Sequence, residues 1–402
     1  MNETSYKGER SCAVCGGEKK RLLFRQHFST LSTGSLLEGY DVVACQGCGF
    51  CFADHIPEQA AFDVYYQQMS KYEYQNQGRQ KSKYDVARFQ TIASILKPFM
   101  PHRQTRILEI GCATGHLLSL LQQSGYENVL GIDPAPACAE AANKLYGVRV
   151  MTNTLSNAVV NDQSVDFMIL AGVFEHVRDL GTTLPRLGNM LSADGQIYVA
   201  VPDASRYAEG EDAPFQEFSV EHINFFGPTS LANLMRANGF SQILCQQSLM
   251  EANYRTTTPV IHAIFKKDAT HPSSTRAIPD TQTEPGLMTY INQSRQVDAH
   301  IHAIINDIAA SGRPIIVWGT GAHTLRLLAT SRLAEAKISA FVDSNSRYQG
   351  KMLSGISIIA PADLRDRPEP ILISSRVFQQ EIERQIRDDL QCSNQVILLY
   401  QL

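Results

Sequence analysis

The stretch Arg106–Leu121, RILEIGCATGHLLSLL, constrains this chain most. An apolar run (Ile107, Leu108, Ile110) ends in Gly111-Cys112-Ala113-Thr114-Gly115. Apolar residues then recur at helical spacing through Leu117, Leu118, Leu120 and Leu121. The pattern predicts a strand, a glycine turn and a helix. Glycines let the backbone approach a ligand closely, and a helix start offers free N–H groups. A second apolar run, VLGID, ends in Asp133-Pro134, an acid placed to accept two ribose hydroxyls. A dinucleotide-binding loop would read G-x-G-x-x-G. This one reads E-x-G-x-x-x-G, with Glu109 two residues before Gly111. An ordinary βαβ turn and a nicotinamide-dinucleotide site are the competing readings.

The chain has 402 residues, enough for two or three domains. It is 44% hydrophobic and 19% charged, the balance of a soluble globular protein. A net charge of −4 leaves no electrostatic footprint for nucleic acid or an anionic membrane, so neither is expected as a partner. No apolar run reaches membrane-spanning length and MNETSYKGER lacks a signal-peptide core, so the expected location is cytoplasmic. Five of the nine cysteines fall before residue 52, and in a reducing compartment that clustering argues for metal over disulfides.

Cys12-Ala13-Val14-Cys15-Gly16 and Cys45-Gln46-Gly47-Cys48-Gly49 form two C-x-x-C-G knuckles. Each offers two thiolates to one tetrahedral ion, so Cys12, Cys15, Cys45 and Cys48 are expected to hold a structural zinc. A closed all-thiolate shell leaves no open position for chemistry. Cys51, within Gly49-Phe50-Cys51-Phe52, reads as a buried free thiol. Residues 62–74 carry four tyrosines within ten positions. They predict packing between the metal module and the next domain, a ligand-facing lid, or both; Tyr65, Tyr66 and Tyr72 are the candidates for substrate contact. A helix through Ile92, Ile95 and Leu96 is expected to end near Lys97, ahead of Pro98 and Pro101.

After Asp133 the pattern predicts a helix over Cys138–Tyr146, a strand over Val148–Met151, a buried central strand in DFMILA up to Ala171, and a strand over Ile197–Val201. The turn Gly172-Val173-Phe174-Glu175-His176 faces the crevice at the carboxyl ends of the strands. His176 there is a structural hydrogen-bond partner or a catalytic group. A second chemical signal is Phe218-Ser219-Val220-Glu221-His222-Ile223-Asn224-Phe225-Phe226, a charged pair among apolar rings. A histidine in such a setting can be held near neutral as a general base, with Glu221 binding a hydroxyl or tuning it and Asn224 contacting substrate. An ion pair that merely stabilises the loop is the plainer alternative.

The E-x-G-x-x-x-G motif with Asp133 resembles motif I of class I S-adenosylmethionine (SAM) methyltransferases. The resemblance implies that the carboxylates face an ammonium and a ribose. It implies a SAM site formed by Glu109, Gly111, Cys112, Gly115, Asp133, Pro134 and Ala171, with Thr154 near the adenine. The order of four-cysteine module, tyrosine segment, SAM domain, E-H-x-x-F-F loop and second α/β domain further resembles the sugar C-methyltransferases of deoxysugar pathways. That family implies a nucleotide-linked ketosugar as substrate and His222 as the base that makes its enolate. Glu221 would be its neighbour in substrate binding, and His176 a second polar group near the reacting carbon. Two positions depart from the family pattern. The turn is Gly111-Cys112-Ala113-Thr114-Gly115 where the family commonly has Ser-Asn-Asp-Gly after the acid, and Ser219 stands where it has a tyrosine.

Residues 268–286 are rich in Ser, Thr and Pro and read as a linker or exposed loop. A helix is expected from about Leu287 to Ala310. Ile315-Ile316-Val317-Trp318-Gly319-Thr320-Gly321 opens a second strand–turn–helix unit, with further strands at 338–343, 371–375 and 396–400. Its incomplete glycine pattern argues against a dinucleotide. The loop either touches the nucleotide part of a substrate or closes a docking and dimerisation domain. The expected fold class is α/β: a Rossmann-like class I methyltransferase domain with a small N-terminal zinc-binding module and a second, C-terminal doubly wound domain. The expected boundaries are 1–60, 61–267 with a tyrosine-rich lid, 268–286 and 287–402. The expected function is SAM-dependent C-methylation of a nucleotide-linked keto-deoxysugar by a monomer or homodimer. An O-methyltransferase acting on a sugar, glycan or other hydroxylated metabolite is the alternative, and a zinc-ribbon scaffold with a decayed SAM fold is the non-enzymatic one.

Overall fold

A computed structural model describes residues 9–29, 36–68, 82–155, 157, 160–268 and 276–401. The N-terminal module holds β1 (Lys20–His27), β2 (Gly39–Cys45) and β3 (Cys51–Asp54), each antiparallel to the next. Helix α1 (Gln59–Gln68) leads out of it and carries Tyr65 and Tyr66; Tyr72 lies outside the described residues.

The central domain follows in the order α2 (Lys83–Leu96), β4 (Arg106–Ile110), α3 (His116–Gln123), β5 (Asn128–Asp133), α4 (Pro136–Tyr146), β6 (Val150–Thr152), β7 (Val165–Ala171), α5 (Leu180–Met190), β8 (Leu191–Pro202), β9 (Asn224–Phe225), α6 (Pro228–Ala237), β10 (Phe240–Asn253) and β11 (Thr256–Lys267). Its seven strands run β10-β11-β8-β7-β4-β5-β6 across the sheet. The five strands from β8 to β6 pair in parallel, while β11 lies antiparallel to both β8 and β10. Chain order reverses between β4 and β7, and in an open α/β sheet ligands bind outside the carboxyl ends of the strands at that point. The helices start and stop where local chemistry says. Ser82 caps α2, Pro136 opens α4, and Gly147 closes α4 in the left-handed conformation. The hairpin of β10 and β11 is an element that the reading of periodicity does not supply.

The C-terminal domain comprises α7 (Thr283–Ser311), β12 (Ile315–Trp318), α8 (Ala322–Thr330), β13 (Ile338–Val342), β14 (Met352–Leu353), β15 (Ile356–Ile359), β16 (Ile371–Ile373), α9 (Gln379–Arg384) and β17 (Val396–Leu398). Its sheet runs β14-β15-β13-β12-β16-β17, parallel apart from the short edge pair β14–β15. Thr283 opens α7 four positions before the expected Leu287. The described part of the 268–286 stretch is not a free linker. Asp280 is buried, its N–H donates to the Cys48 carbonyl, and its carboxylate caps the start of α7 through Thr283. Gly49 makes that approach possible: a Cβ there would lie 2.1 Å from the Asp280 carbonyl oxygen. Among the described residues no helix is long and apolar enough to cross a membrane.

The modules interlock through one short strand. β9 pairs antiparallel with β3, Cys51 against Phe225 and Phe52 against Asn224, so the loop of Glu221 and His222 runs into the N-terminal sheet. One continuous apolar cluster includes Val42, Ala53, Phe62, Phe218, Phe225, Ile291 and Val317, joining the N-terminal sheet, this loop and the C-terminal domain. Burial of that cluster, at about 25 cal/mol per Å² of apolar surface, is what fixes the loop in place.

Candidate active site

The glycine turn after β4 adopts the backbone its sequence predicts. Gly111, Ala113 and Gly115 all have positive φ, at 69°, 48° and 73°. A Cβ on Gly111 would sit 2.9 Å from Val173 Cγ2, so both conformation and space require glycine. Asp133, at the end of β5, anchors the turn: Oδ2 accepts from Ala113 N at 2.8 Å and Oδ1 from Ala135 N at 3.0 Å. Glu109 is buried, and burial first, then the nearby Asp133, holds its carboxyl well above the usual carboxylate range. Its Oε2 has no hydrogen-bond partner among the described residues. A buried carboxylate oxygen without a donor is costly unless a ligand supplies one. Thr154, beyond β6, presents a second such atom in Oγ1. Pro134 follows the acid into α4, and Ala171 ends β7 beside the crevice. Cys112 serves packing instead. Its thiol is buried against Gly131, and its N–H donates to the Ile132 carbonyl.

Around the carboxyl end of β7 the expected catalytic residues converge. Tyr65 donates its hydroxyl to Glu221 Oε1 at 3.0 Å across 156 residues of sequence. His176 Nδ1 lies 2.9 Å from the Glu221 carbonyl oxygen, so Nδ1 carries the donated proton and Nε2 is left as the acceptor. Its ring is edge-on to Tyr66 at 5.8 Å and 5.1 Å from the ring of His222. Ser219 Oγ accepts from both Glu221 N and His222 N, so the residue in the tyrosine's place shapes the loop backbone.

Two carboxylates complete the cluster. Glu217 Oε2 lies 3.6 Å from His222 Nδ1, and Glu175 Oε1 lies 3.8 Å from His176 Nε2. Glu217 carries no local motif; its spacing, five residues before His222, is the one sequence signal for it. Burial pushes the Glu175 carboxyl up to about 7, opposed by His222 and aided by Glu217. An unfolded chain releases that proton near 4.5, so between those values the folded state binds more protons and stability falls as pH rises. Glu175→Gln is expected to remove a decline of a few kcal/mol across that window. Denaturant titrations of both proteins at pH 5 and 7 check it, and equal slopes would refute it.

Asn224 is not a substrate contact. It is 1% exposed, its Nδ2 donates to the Phe174 and Val177 carbonyls, and its Oδ1 accepts from Arg10 at 2.8 Å. Arg10 also donates to the carbonyls of Ala53, Ile223 and Arg178. Asn224 therefore ties the His222 loop to the turn after β7, because a buried amide must spend its donors and acceptor inside the protein.

The four N-terminal thiols gather into one cluster. Cys12 and Cys48 Sγ are 3.6 Å apart, Cys15 and Cys45 Sγ 3.5 Å. Four sulfurs at 2.3 Å from a tetrahedral ion stand about 3.8 Å from one another, so the set fits such an ion. Gly17 and Gly47 leave room beside the sulfurs: a Cβ on either would approach Cys15 Sγ to 3.2 or 3.5 Å.

Residues 84–245 match the family described as a methyltransferase domain. This segment is a class I SAM-dependent methyltransferase domain. Residues 312–398 match a family described as C2185-like, N-terminal. The C-methyltransferase NovU of Streptomyces niveus is 23% identical over 264 residues, 63% of this chain and 61% of that protein. A ubiquinone biosynthesis O-methyltransferase of Azorhizobium caulinodans is 34% identical over 105 residues, 25% of this chain and 41% of that protein. The chain thus spans less than two thirds of the length of either curated relative. The crystal structure of a Burkholderia thailandensis 1,6-didemethyltoxoflavin-N1-methyltransferase is similar at a TM-score of 0.40 and 17% identity, covering 55% of this chain and 96% of that one. Within the methyltransferase domain, the Gly111 turn and the Glu175–His176 turn border the same crevice.

Proposed function

We propose that this protein methylates a carbon beside a carbonyl, in a nucleotide-linked keto-deoxysugar or related metabolite, with SAM as methyl donor. The observation that carries the reading is the pairing of His222 with the buried Glu217, in a cluster also holding His176, Glu221 and Tyr65. SAM supplies an electrophilic methyl and leaves as the thioether. Glu109, with its unpartnered oxygen, would hold the ammonium; Asp133 would hold the ribose; the Gly111 turn would admit the ligand backbone-close.

A C–H beside a carbonyl is a weak acid, so its removal needs a base in place and a donor for the enolate oxygen. His222 takes the proton, and Glu217 balances the imidazolium that forms. Protonated Glu175 is the neighbouring group able to face developing negative charge, while the Tyr65 hydroxyl spends its proton on Glu221 and positions that carboxylate. Cys12, Cys15, Cys45 and Cys48 would hold a structural zinc. Similarity to a C-methyltransferase supports this reading over a scaffold without activity.

Mass spectrometry in deuterated water tests it, with SAM and a panel of nucleotide-linked keto- and hydroxysugars. The expected product is one methyl heavier, and the unreacted ketosugar exchanges deuterium beside its carbonyl. A methylated product without exchange would overturn C-methylation in favour of an oxygen acceptor. Glu109→Ala is expected to weaken SAM binding by roughly 10- to 100-fold, the loss of one hydrogen bond to a charged group. Calorimetry reads this directly, and unchanged affinity would remove Glu109 from the site.

A further inference from the structure

The groups around His222 include a second set of metal-binding atoms, separate from the four thiols. A carboxylate oxygen of Glu175 and one ring nitrogen each of His176 and His222 all lie within 4.8 Å of one another. Glu175 Oε1 is 3.8 Å from His176 Nε2, and the two imidazole centroids are 5.1 Å apart. Two imidazoles and one carboxylate make a three-ligand set that leaves coordination positions open, unlike a closed shell of four thiolates.

The orientation of the rings suits ligation. A metal-binding histidine donates its second ring N–H to a carbonyl or carboxylate, which fixes the tautomer and leaves the other nitrogen's lone pair for the ion. His176 is set in this way: Nδ1 donates to the Glu221 carbonyl at 2.9 Å, and Nε2 faces Glu175. His222 turns Nδ1 toward Glu217 Oε2 at 3.6 Å, the same arrangement at longer range. The carboxylate gives an independent sign. Glu175 is only 3% exposed, and its Oε2 has no hydrogen-bond partner among the described residues. A buried oxygen of that kind is satisfied by a donor or a cation from outside the protein.

The two segments that carry these ligands are locked to each other. Glu175 and His176 sit in the turn after β7, and His222 sits in the loop before β9. The Ile223 N–H donates to the Glu175 carbonyl at 2.8 Å. Asn224 Nδ2 donates to the Phe174 and Val177 carbonyls, each at 2.7 Å. Ligand atoms about 2.1 Å from an ion stand roughly 3 to 3.4 Å apart, so side-chain movements of about an ångström close the set while the backbone stays still.

We propose that Glu175, His176 and His222 form a second divalent-metal site, for zinc-like ions, and that its occupation switches methyl transfer off. Imidazole nitrogens suit Zn²⁺, Co²⁺ or Ni²⁺, whereas Mg²⁺ takes oxygen ligands. A neutral imidazole has one basic lone pair. Once that pair binds an ion, His222 has none left to take the proton beside the substrate carbonyl. The switch rests on the methyl-transfer reading; ion binding by these residues does not.

Cobalt(II) separates the two metal sites by their spectra. Thiolate-bound Co²⁺ gives an intense near-ultraviolet charge-transfer band, which imidazole and carboxylate ligands do not give. Co²⁺ is titrated into the full-length protein with its thiols already saturated with zinc, and SAM is titrated in parallel. One Co²⁺ per chain is expected to bind, with visible bands and no thiolate band. Glu175→Gln, His176→Gln and His222→Gln should each weaken it about tenfold or more, since loss of an outer-shell partner alone costs that much. Thermal unfolding reports whether each variant folds, and Glu175→Gln keeps the shape of its side chain. Turnover should fall in step with occupancy and return when the excess ion is removed. Absence of binding, or binding that shows only the thiolate band, overturns the inference. Binding that none of the three substitutions weakens is adventitious and overturns it as well. Full turnover with the site saturated overturns the switch. Binding at these residues in a protein that binds no SAM supports the site and overturns the methyl-transfer reading.

Discussion

His222→Gln is expected to lower kcat for methyl transfer by roughly 10²- to 10⁴-fold, the usual contribution of a positioned general base. SAM affinity should stay near that of the unmodified protein, because the Gly111 turn and Asp133 stand on different strands from the His222 loop. The variant should fold. The loop is held by Ser219 Oγ, by the pairing of β9 with β3 and by the Asn224 amide, none of which uses the imidazole. Deuterium exchange beside the carbonyl should disappear together with turnover, which separates a lost base from a lost methyl donor site. A variant that keeps kcat within about tenfold would show that another group removes the proton, and Glu175 or His176 would be next to test.

Disruption of the zinc site proposed for the four N-terminal cysteines is expected to have the second largest effect. Cys48→Ser should release about one zinc per chain, destabilise the protein by several kcal/mol and lower kcat at least about tenfold. Cys12 and Cys48 Sγ stand 3.6 Å apart and Cys15 and Cys45 Sγ 3.5 Å, and thiolates that close would repel one another without a cation between them. The consequence reaches the site through covalent and hydrogen-bonded continuity. Cys45 ends β2, Cys51 begins β3, and β3 pairs with β9 two residues beyond His222. Arg10, two residues before Cys12, holds Asn224 and the Ile223 carbonyl. SAM binding, which uses the Gly111 turn and Asp133 and none of the thiols, should fall less than kcat. Native mass spectrometry for the metal, thermal unfolding and kcat measured together check this. Full activity in a zinc-free protein would uncouple the module from the site.

Much of this organisation is legible in the amino-acid sequence because it is local. The Gly111 turn follows from glycines that tolerate positive φ after an apolar run, and the end of α2 follows from Pro98. The cysteine knuckles follow from ligand spacing alone. Asn224 misleads for a physical reason. An exposed asparagine and a buried one read alike in a polar–aromatic loop, and only the partners of its amide separate them. The hairpin of β10 and β11 escapes notice because β10 is half exposed along its length, leaving weak alternation to read.

The sequence by itself determined the two glycine turns, the acids that follow them, the two cysteine knuckles and the candidate base, since each is carried by a short motif of adjacent residues. Tertiary structure alone decided that Glu217 and His176 flank His222, that Tyr65 reaches Glu221, and that β9 belongs to the N-terminal sheet. It also decided that the 212–216 loop closes a cavity against Arg376 and Gly321. Most of these contacts join residues far apart in the chain, as Tyr65 and Glu221 are. They are selected by burial of a shared apolar cluster, which rewards total packing and leaves no periodic trace naming the partner.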